Sequence, residues 1–566
     1  MLLKAIYFLE RGVFCLKKVF NESKCLIGIL LICFVTALCP VVASANSQAK
    51  NVIVLMSDGT GATHTALTRW YKGTSLPQDD WIVGGVRTYG ADSIITDSAP
   101  AASAFATGHK TDDKFVSVLP ARTTIPGVDE ISDDLKYKPV ASVLEGAKLM
   151  GKSVGLVATS NIQHASPAAY SAHWPSRSNY EEIGEQQVYL NMDVVFGGGK
   201  QYLLPKDQGG TRSDGENMFD VLKAKGYGIV DNRTDMLNFK GSKVWGMFAD
   251  DAMDYDMDRK ALHPEQPSLA EMTKKAIDVL SKNNKGFFLF VEASKVDWAS
   301  HANDPVGVVS DSLAYADAIQ AALDFAKKDG NTIVLCFADH SNGGMSIGSK
   351  KIDKTYPSTP LQQLLDPLKK ASLTGEGVEA MLGNNLSEEN IRYVVSKYYG
   401  VDDLTTEEIE KIQSAKKYNM NYVLGPIISK RSIVGWTTNG HTGEDVFLYA
   451  YGLNKPLGLI ENKQLAYICA NNLGYDLDKA DSKLFVEASN AFKAIGATVH
   501  IDKTDPTNMV LVIEKGLNRG QMPFSKNSIT LNGKKYEMTG ITVYAPNTEK
   551  VYIPQEAVTL AKAAGF

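Results

Sequence analysis

"NVIVLMSDGTG" (residues 51–61) is the stretch whose reading decides the fold. Residues 52–56 are all apolar, and three of them are β-branched. A run this short and this apolar suits a strand buried on both faces, as in a parallel sheet covered by helices. It ends in Ser57-Asp58-Gly59, a polar turn at the point where the strand must leave the core.

Further along, "SVGLVA" (153–158), "GFFLFVEA" (286–293) and "TIVLCFA" (332–338) repeat the pattern. Helical patterns alternate with them at 138–151, 268–283 and 311–329. That alternation predicts an α/β fold, a three-layer α/β/α sandwich around a mostly parallel central sheet. Residues 341–430 interrupt it with a Lys/Glu-rich, partly helical stretch, read as an inserted cap. "VFLYAYG" (446–452) returns to the core, and short β runs after about 480 read as a small C-terminal α+β appendage. The expected organisation is 1–45 signal peptide, 46–340 first part of the core, 341–430 cap, 431–478 last part of the core and 479–566 appendage.

The signal peptide is read from five basic residues between Lys4 and Lys24, then the uncharged run from Cys25 and small residues at Ala43-Ser44-Ala45. Its cleavage predicts an exported protein, periplasmic or extracellular, without a membrane anchor; retention of the segment would leave one. Four of the six cysteines lie there, so the remainder, Cys336 and Cys469, allows one disulfide at most. The cut also moves the net charge from −5 to −8, because it removes five basic and two acidic residues. An acidic chain without a basic run does not suit nucleic acid.

The strand ends carry the chemistry. Asp58 follows the first strand, His164 and Ser166 come after the second, Glu292 ends the third, and Asp339-His340 ends the fourth. In open α/β sheets ligands bind at the carboxyl ends of the strands. Asp297 and His301, four residues apart, can aim at one ion from one helical turn, and His441 adds a further imidazole. Each pattern alone suits a surface pair, a turn or a cap. Together they suit a metal site on one rim. "TDSAPAASAFATG" (96–108) adds a hydroxyl, Ser98, at the start of an alanine-rich helix, where free N–H groups favour an anion.

"MSDGTG", "TDSAPAASAFATG", "QHASPAAYSAHWPSR", "VEASKVDWASH", "FADHSNGG" and "GHTGED" resemble, in order and rough spacing, the motifs of the alkaline phosphatase family over about residues 50–455. The resemblance implies a phosphomonoesterase that uses two Zn²⁺ and one Mg²⁺ per chain, acts on small phosphate monoesters and forms a homodimer. It makes Ser98 the nucleophile, gives Asp297, His301 and His441 to one zinc, and gives Asp58, Asp339 and His340 to the other. Asp58 would also bridge to magnesium with Glu292 and Ser166, and Arg177, steered by Asp97, would grip the phosphate. Two positions depart from the best-known bacterial members: His164 replaces an aspartate beside the third metal, and Trp298 replaces a lysine. The alternatives are a phosphodiesterase or sulfatase of the same superfamily, or a non-catalytic zinc- or phosphate-binding protein. His64, His109, His173, His263 and His500 match no ligand position.

Overall fold

The computed structural model describes residues 48–566, so the signal-peptide reading lies outside the described residues. The central sheet has ten strands: β1 (Asn51–Ser57), β2 (Ile82–Arg87), β3 (Ser153–Asn161), β4 (Val194–Gly198), β5 (Gly228–Val230), β6 (Val244–Met247), β7 (Phe287–Ala293), β8 (Thr332–Phe337), β9 (Val446–Tyr451) and β10 (Gly458–Glu461). Their spatial order is β10-β2-β9-β8-β1-β7-β3-β4-β6-β5. Strand β9 runs antiparallel to both of its neighbours, and every other pairing is parallel.

Every residue of β1, β7 and β8 is buried, as an apolar strand with helices on both faces requires. One apolar layer packs Val52, Val54, Phe288 and Phe290 on one face of the sheet; Ile53, Leu55, Leu289 and Val291 build the other. This is the α/β sandwich read from the sequence. The helix expected over 138–151 is shorter, Val143–Leu149, because Ser142 caps it in a reciprocal bond pair with Glu145. The one expected over 311–329 is longer and starts at Pro305, where Asp304 accepts from the N–H of Val306.

Four helices position the site: α1 (Ser98–Thr107), α2 (Ala165–Ser171), α3 (Lys295–His301) and α4 (Pro305–Asp329). Between β8 and β9, five helices spanning residues 361–431 gather around Leu364, Leu368, Val378, Ile391, Val395, Leu424 and Ile428. The same apolar cluster takes in Val296, Ala299 and Val306, which seats this helical segment directly on α3 and α4. Toward the C-terminus, residues 498–537 form a five-stranded antiparallel meander with an apolar core of its own. Among the described residues no helix is long and apolar enough to cross a membrane. Cys336 and Cys469 are buried and free.

Candidate active site

Strands β1, β3, β7 and β8 lie side by side, so the residues that follow them meet on one rim. Asp58, Asp339 and His340 converge there, and so do Asp58, Glu292 and His164; in each set one donor atom per residue lies within 4.8 Å of the others. Asp297 and His301 from α3 meet His441 within the same limit. Asp58 belongs to two of these sets, which suits a bridging carboxylate. The turn after β1 must be tight: Gly59 has φ +70°, and a Cβ there would lie 2.7 Å from Cα of Asp297. Only glycine allows that approach.

The imidazoles are oriented for ligation. His301 Nδ1 bonds the carbonyl of Asn439 at 2.6 Å, and His441 Nδ1 bonds the carbonyl of Thr96 at 2.8 Å. A carbonyl accepts only, so each Nδ1 carries the proton and each Nε2 presents a lone pair. The two Nε2 atoms face each other at 3.3 Å, and His301 Nε2 is 3.3 Å from Oδ2 of Asp297. Asp339 is fixed in a similar way. Its Oδ1 accepts from the backbone N–H of Gly59 and of His340, which leaves Oδ2 facing His340 Nε2 at 3.2 Å.

The charges ask for cations. Asp58, Glu292, Asp297 and Asp339 are all buried. Burial, followed by the nearby carboxylates, raises the Asp58 carboxyl well above its usual range, and burial pushes Glu292 up to about 7. His340 moves the other way: burial opposes its charge, but Asp339 overrides it and pushes it up to about 9. Both oxygens of Asp58, Oε1 of Glu292 and Oγ of Ser166 are buried without a hydrogen-bond partner among the described residues. Buried polar atoms are rarely left so. Oxygen-rich and imidazole-rich sets of this kind fit divalent cations, zinc where histidine joins carboxylate and magnesium where oxygen dominates.

Ser98 opens α1 with its N-cap, Asp97, whose carboxylate accepts from the N–H of Ala99 at 3.4 Å. All ten residues of this helix are buried, and the small side chains let it lie close behind the rim. Ser98 Oγ is 3.2 Å from His340 Nε2. Asp97 Oδ1 accepts from Nη1 of Arg177 at 2.6 Å, while Nη2 of the same guanidinium bonds Nε2 of His164 at 2.8 Å. Burial, then the charge of Arg177, pushes His164 down to about 3, so it is neutral and accepts at Nε2. The ring of Trp298 meets that of His164 edge-on at 5.9 Å.

Every candidate from the sequence is thus on this rim. Three neighbouring residues were not read from the sequence. Asn342 donates to Oδ1 of Asp297 at 2.7 Å, Ser160 donates to Oε2 of Glu292 at 3.3 Å, and Ser300 shares a 3.0 Å bond with Nε2 of the buried His64. Asn342 and Ser160 follow or end core strands, which is the signal that could have marked them.

The pattern that defines the family "Alkaline phosphatase" matches residues 49–475. Alkaline phosphatase 3 of Bacillus subtilis is 37% identical over 453 residues, which cover 76% of this chain and 90% of that one. The alkaline phosphatase of Thermus thermophilus superposes with a TM-score of 0.67 at 25% identity, over 78% of this chain and 98% of that one. A variant of the Antarctic bacterium TAB5 alkaline phosphatase, with a histidine changed to aspartate and Mg bound in the M3 site, superposes with a TM-score of 0.54 at 26% identity, over 76% and 99% of the two chains. A carboxylate-imidazole rim beside a serine in the first turn of a helix is what such a likeness requires, and the chain belongs to the alkaline phosphatase family, as a metal-binding enzyme that hydrolyses phosphate monoesters.

Proposed function

We propose that hydrolysis runs through a phosphoseryl intermediate at Ser98. Asp297, His301 and His441 would hold one zinc ion, Asp58, Asp339 and His340 a second, and Asp58, Glu292 and Ser166 a magnesium ion beside His164. When bound, these ions would supply the positive charge that favours ionised oxygen at the attacking and departing positions. Arg177 binds the phosphoryl oxygens through the N–H groups left over from Asp97 and His164, and a planar fork matches that target better than an ammonium would. Asp97 holds the fork in place. The Oγ of Ser98 gives up its proton to solvent and forms a bond to phosphorus as the ester P–O bond breaks, and the departing oxygen takes a proton from solvent. Water then attacks phosphorus, the serine ester breaks, and Ser98 regains its proton as inorganic phosphate leaves.

The observation that carries this reading is the position of Ser98 Oγ, 3.2 Å from a ligand of one cluster and at the start of the helix that Asp97 caps. The alternatives fit less well, since a phosphodiesterase, a sulfatase or a passive binder has no need of serine, arginine and all three clusters together. The test is acid quenching during turnover of a ³²P-labelled monoester, with label expected on Ser98. Ser98→Ala should carry no label and lose turnover by about three orders of magnitude, with a residue from direct water attack. A Ser98→Ala protein that turns over at the parent rate would overturn the assignment.

His164 in place of a carboxylate leaves the magnesium position with less negative charge, and Trp298 in place of a lysine lessens the hold on product phosphate. The TAB5 variant, which gained an aspartate and is solved with Mg, supports the first point. We further read residues 341–430 as a cap, 479–566 as an appendage and residues 1–45 as an export signal. The family resemblance supports a homodimer, which light scattering of the purified protein would test.

A further inference from the structure

Between the end of α2 and Arg177 the chain forms no helix and a single bridge pair, so bonds from outside set its path. Trp174 exchanges two backbone bonds of 2.9 Å with Val116, and the N–H of Arg177 donates to the carbonyl of Lys114 at 2.8 Å. His173, which matches no ligand position, is the last buried residue before Arg177. Its backbone N–H donates to Oε1 of Gln186 at 2.8 Å, and its carbonyl accepts from Nε2 of the same buried amide at 3.1 Å. In the ring, Nδ1 lies 2.9 Å from the carbonyl oxygen of Ser117 and Nε2 lies 3.0 Å from Oε1 of Glu145. A carbonyl and a carboxylate only accept, so both ring nitrogens donate and the ring is an imidazolium. Burial opposes that charge, and the Glu145 carboxylate overrides it.

Both partners of the ring are themselves anchored. Oε2 of Glu145 accepts from the N–H of Ser142 at 2.8 Å. Ser117 has φ +46°, a conformation that favours glycine, and its polar groups hold it there. Its N–H donates to Oγ of Ser103 in α1 at 2.8 Å, its Oγ donates to the carbonyl of Ala169 in α2 at 2.5 Å, and its carbonyl also accepts from the N–H of Val140. Ser103 sits on the same buried helix as Ser98. A chain of hydrogen bonds thus runs from the helix of Ser98 through Ser103, Ser117 and His173 to the segment that carries Arg177. Phe485, from beyond the residues that match the family, packs edge-on against the His173 ring with 4.6 Å between centres, and it too is buried. Asp97 and His164 hold only the guanidinium end of Arg177; this network holds its backbone end.

We propose that His173 is a positioning residue for phosphate binding: bonded to Ser117 on one side and to Glu145 on the other, it fixes the backbone of Arg177 relative to the helix of Ser98. The guanidinium then meets the phosphoryl group where the serine oxygen can reach it. The inference rests on the reading of Arg177 as the phosphate-binding residue. A displacement of about 1 Å in such a group can cost up to about a hundredfold in rate, so a residue that never touches substrate can govern the reaction.

The test is a double-mutant cycle on the metal-loaded full chain, read as inhibition of p-nitrophenyl phosphate hydrolysis by inorganic phosphate. His173→Ala should weaken phosphate about tenfold. His173→Gln, whose amide can still donate to one of the two partners, should weaken it about threefold, and bound zinc and magnesium should be unchanged in both. Arg177→Ala should weaken phosphate by at least about tenfold, and adding either His173 variant to it should shift the constant by less than about twofold, because a residue that acts through Arg177 has nothing left to act on. Parent-like phosphate inhibition in both His173 variants would overturn the inference while leaving the reading of Arg177 intact. So would a His173 effect of equal size with and without Arg177, which marks a structural role only. His173→Ala leaves Glu145 buried without its cation, so if that variant fails to fold, His173→Gln decides alone. An Arg177→Ala protein that binds phosphate as the parent does would overturn both.

Discussion

Among the described residues, acidic side chains gather at the rim, where Asp58 lies within 4.8 Å of Asp339 and His340 in one set and of Glu292 and His164 in another, and at a patch where Glu185, Asp214 and Glu216 lie within 4.8 Å of one another. In the patch, each carboxylate meets a cation or a hydroxyl. The buried Arg212 binds Asp214, Lys526 lies 3.2 Å from Glu185 and 2.7 Å from Glu216, and Tyr189 donates to Glu216. Lys526 comes from the C-terminal region, so the patch ties that region to the core. On the rim, the protein supplies imidazoles and one arginine but leaves both oxygens of Asp58 and one of Glu292 without a hydrogen bond, the nearest cation to Asp58 being His340 with Nε2 3.5 Å from Oδ1. Acidic density is the same in kind at both places. What differs is whether the chain itself completes the charge, and only the rim is built to be completed by something else.

Removing metal should therefore act at one place alone. Exhaustive chelation should abolish phosphate release, by at least about a thousandfold, and re-addition of zinc with magnesium should restore it. Retention of activity after chelation would break the comparison.

The metal-free protein should also show the rim in its pH dependence. Glu292, at about 7 when folded against 4.5 for a free carboxyl, binds more protons in the folded state between those values, so stability is present below about pH 4.5 and lost as pH rises through 7. His340, raised to about 9, has the same sign: its contribution is full below 6.5 and lost as pH rises through 9. Glu185, pushed up to about 7 by burial, adds a similar trend with or without metal and cancels in the difference. Denaturant unfolding at pH 6 and pH 9 should show the metal-free protein losing about 2–4 kcal/mol more over that interval than the loaded one. Parallel pH profiles would show that the rim charges need no cation.

The patch is sharpened by its own variant. Lys526→Ala leaves Glu185 and Glu216 short of a partner and should cost about 1–2 kcal/mol in denaturant unfolding, with kcat/KM unchanged. A loss of activity without a loss of stability would mean that the patch serves the reaction. Smaller still is the expected effect of His164→Asp, which adds a carboxylate beside Glu292 and should tighten magnesium by about fivefold, read by titration calorimetry.

Much of this was legible in the sequence, for a physical reason. Strands β1, β3, β7 and β8 are buried on both faces, so their apolar runs are nearly continuous and their ends are marked by polar residues. Those ends carry Asp58, Glu292, Asp339 and His340, which made the rim readable. Strands β2, β4, β5, β6 and β10 were not read: each contains glycine, all but β2 have five residues or fewer, and β10 and β5 are the two edges of the sheet. The orientation of His301 and His441 was equally hidden, because it depends on the carbonyls of Asn439 and Thr96, and a backbone carbonyl has no residue type. Asp297 and His301 could be placed four apart on a helix, but that Asn342 steadies Asp297 required the fold.

The most direct test of the account is metal stoichiometry by inductively coupled plasma mass spectrometry on the gel-filtered protein, set beside two variants. The account predicts three divalent ions per chain, a loss of about two in Asp58→Ala because that carboxylate is shared by two sets, and no loss in Glu185→Ala. One ion or none in the parent, or metal that disappears with Glu185 and stays with the Asp58 variant, would contradict it.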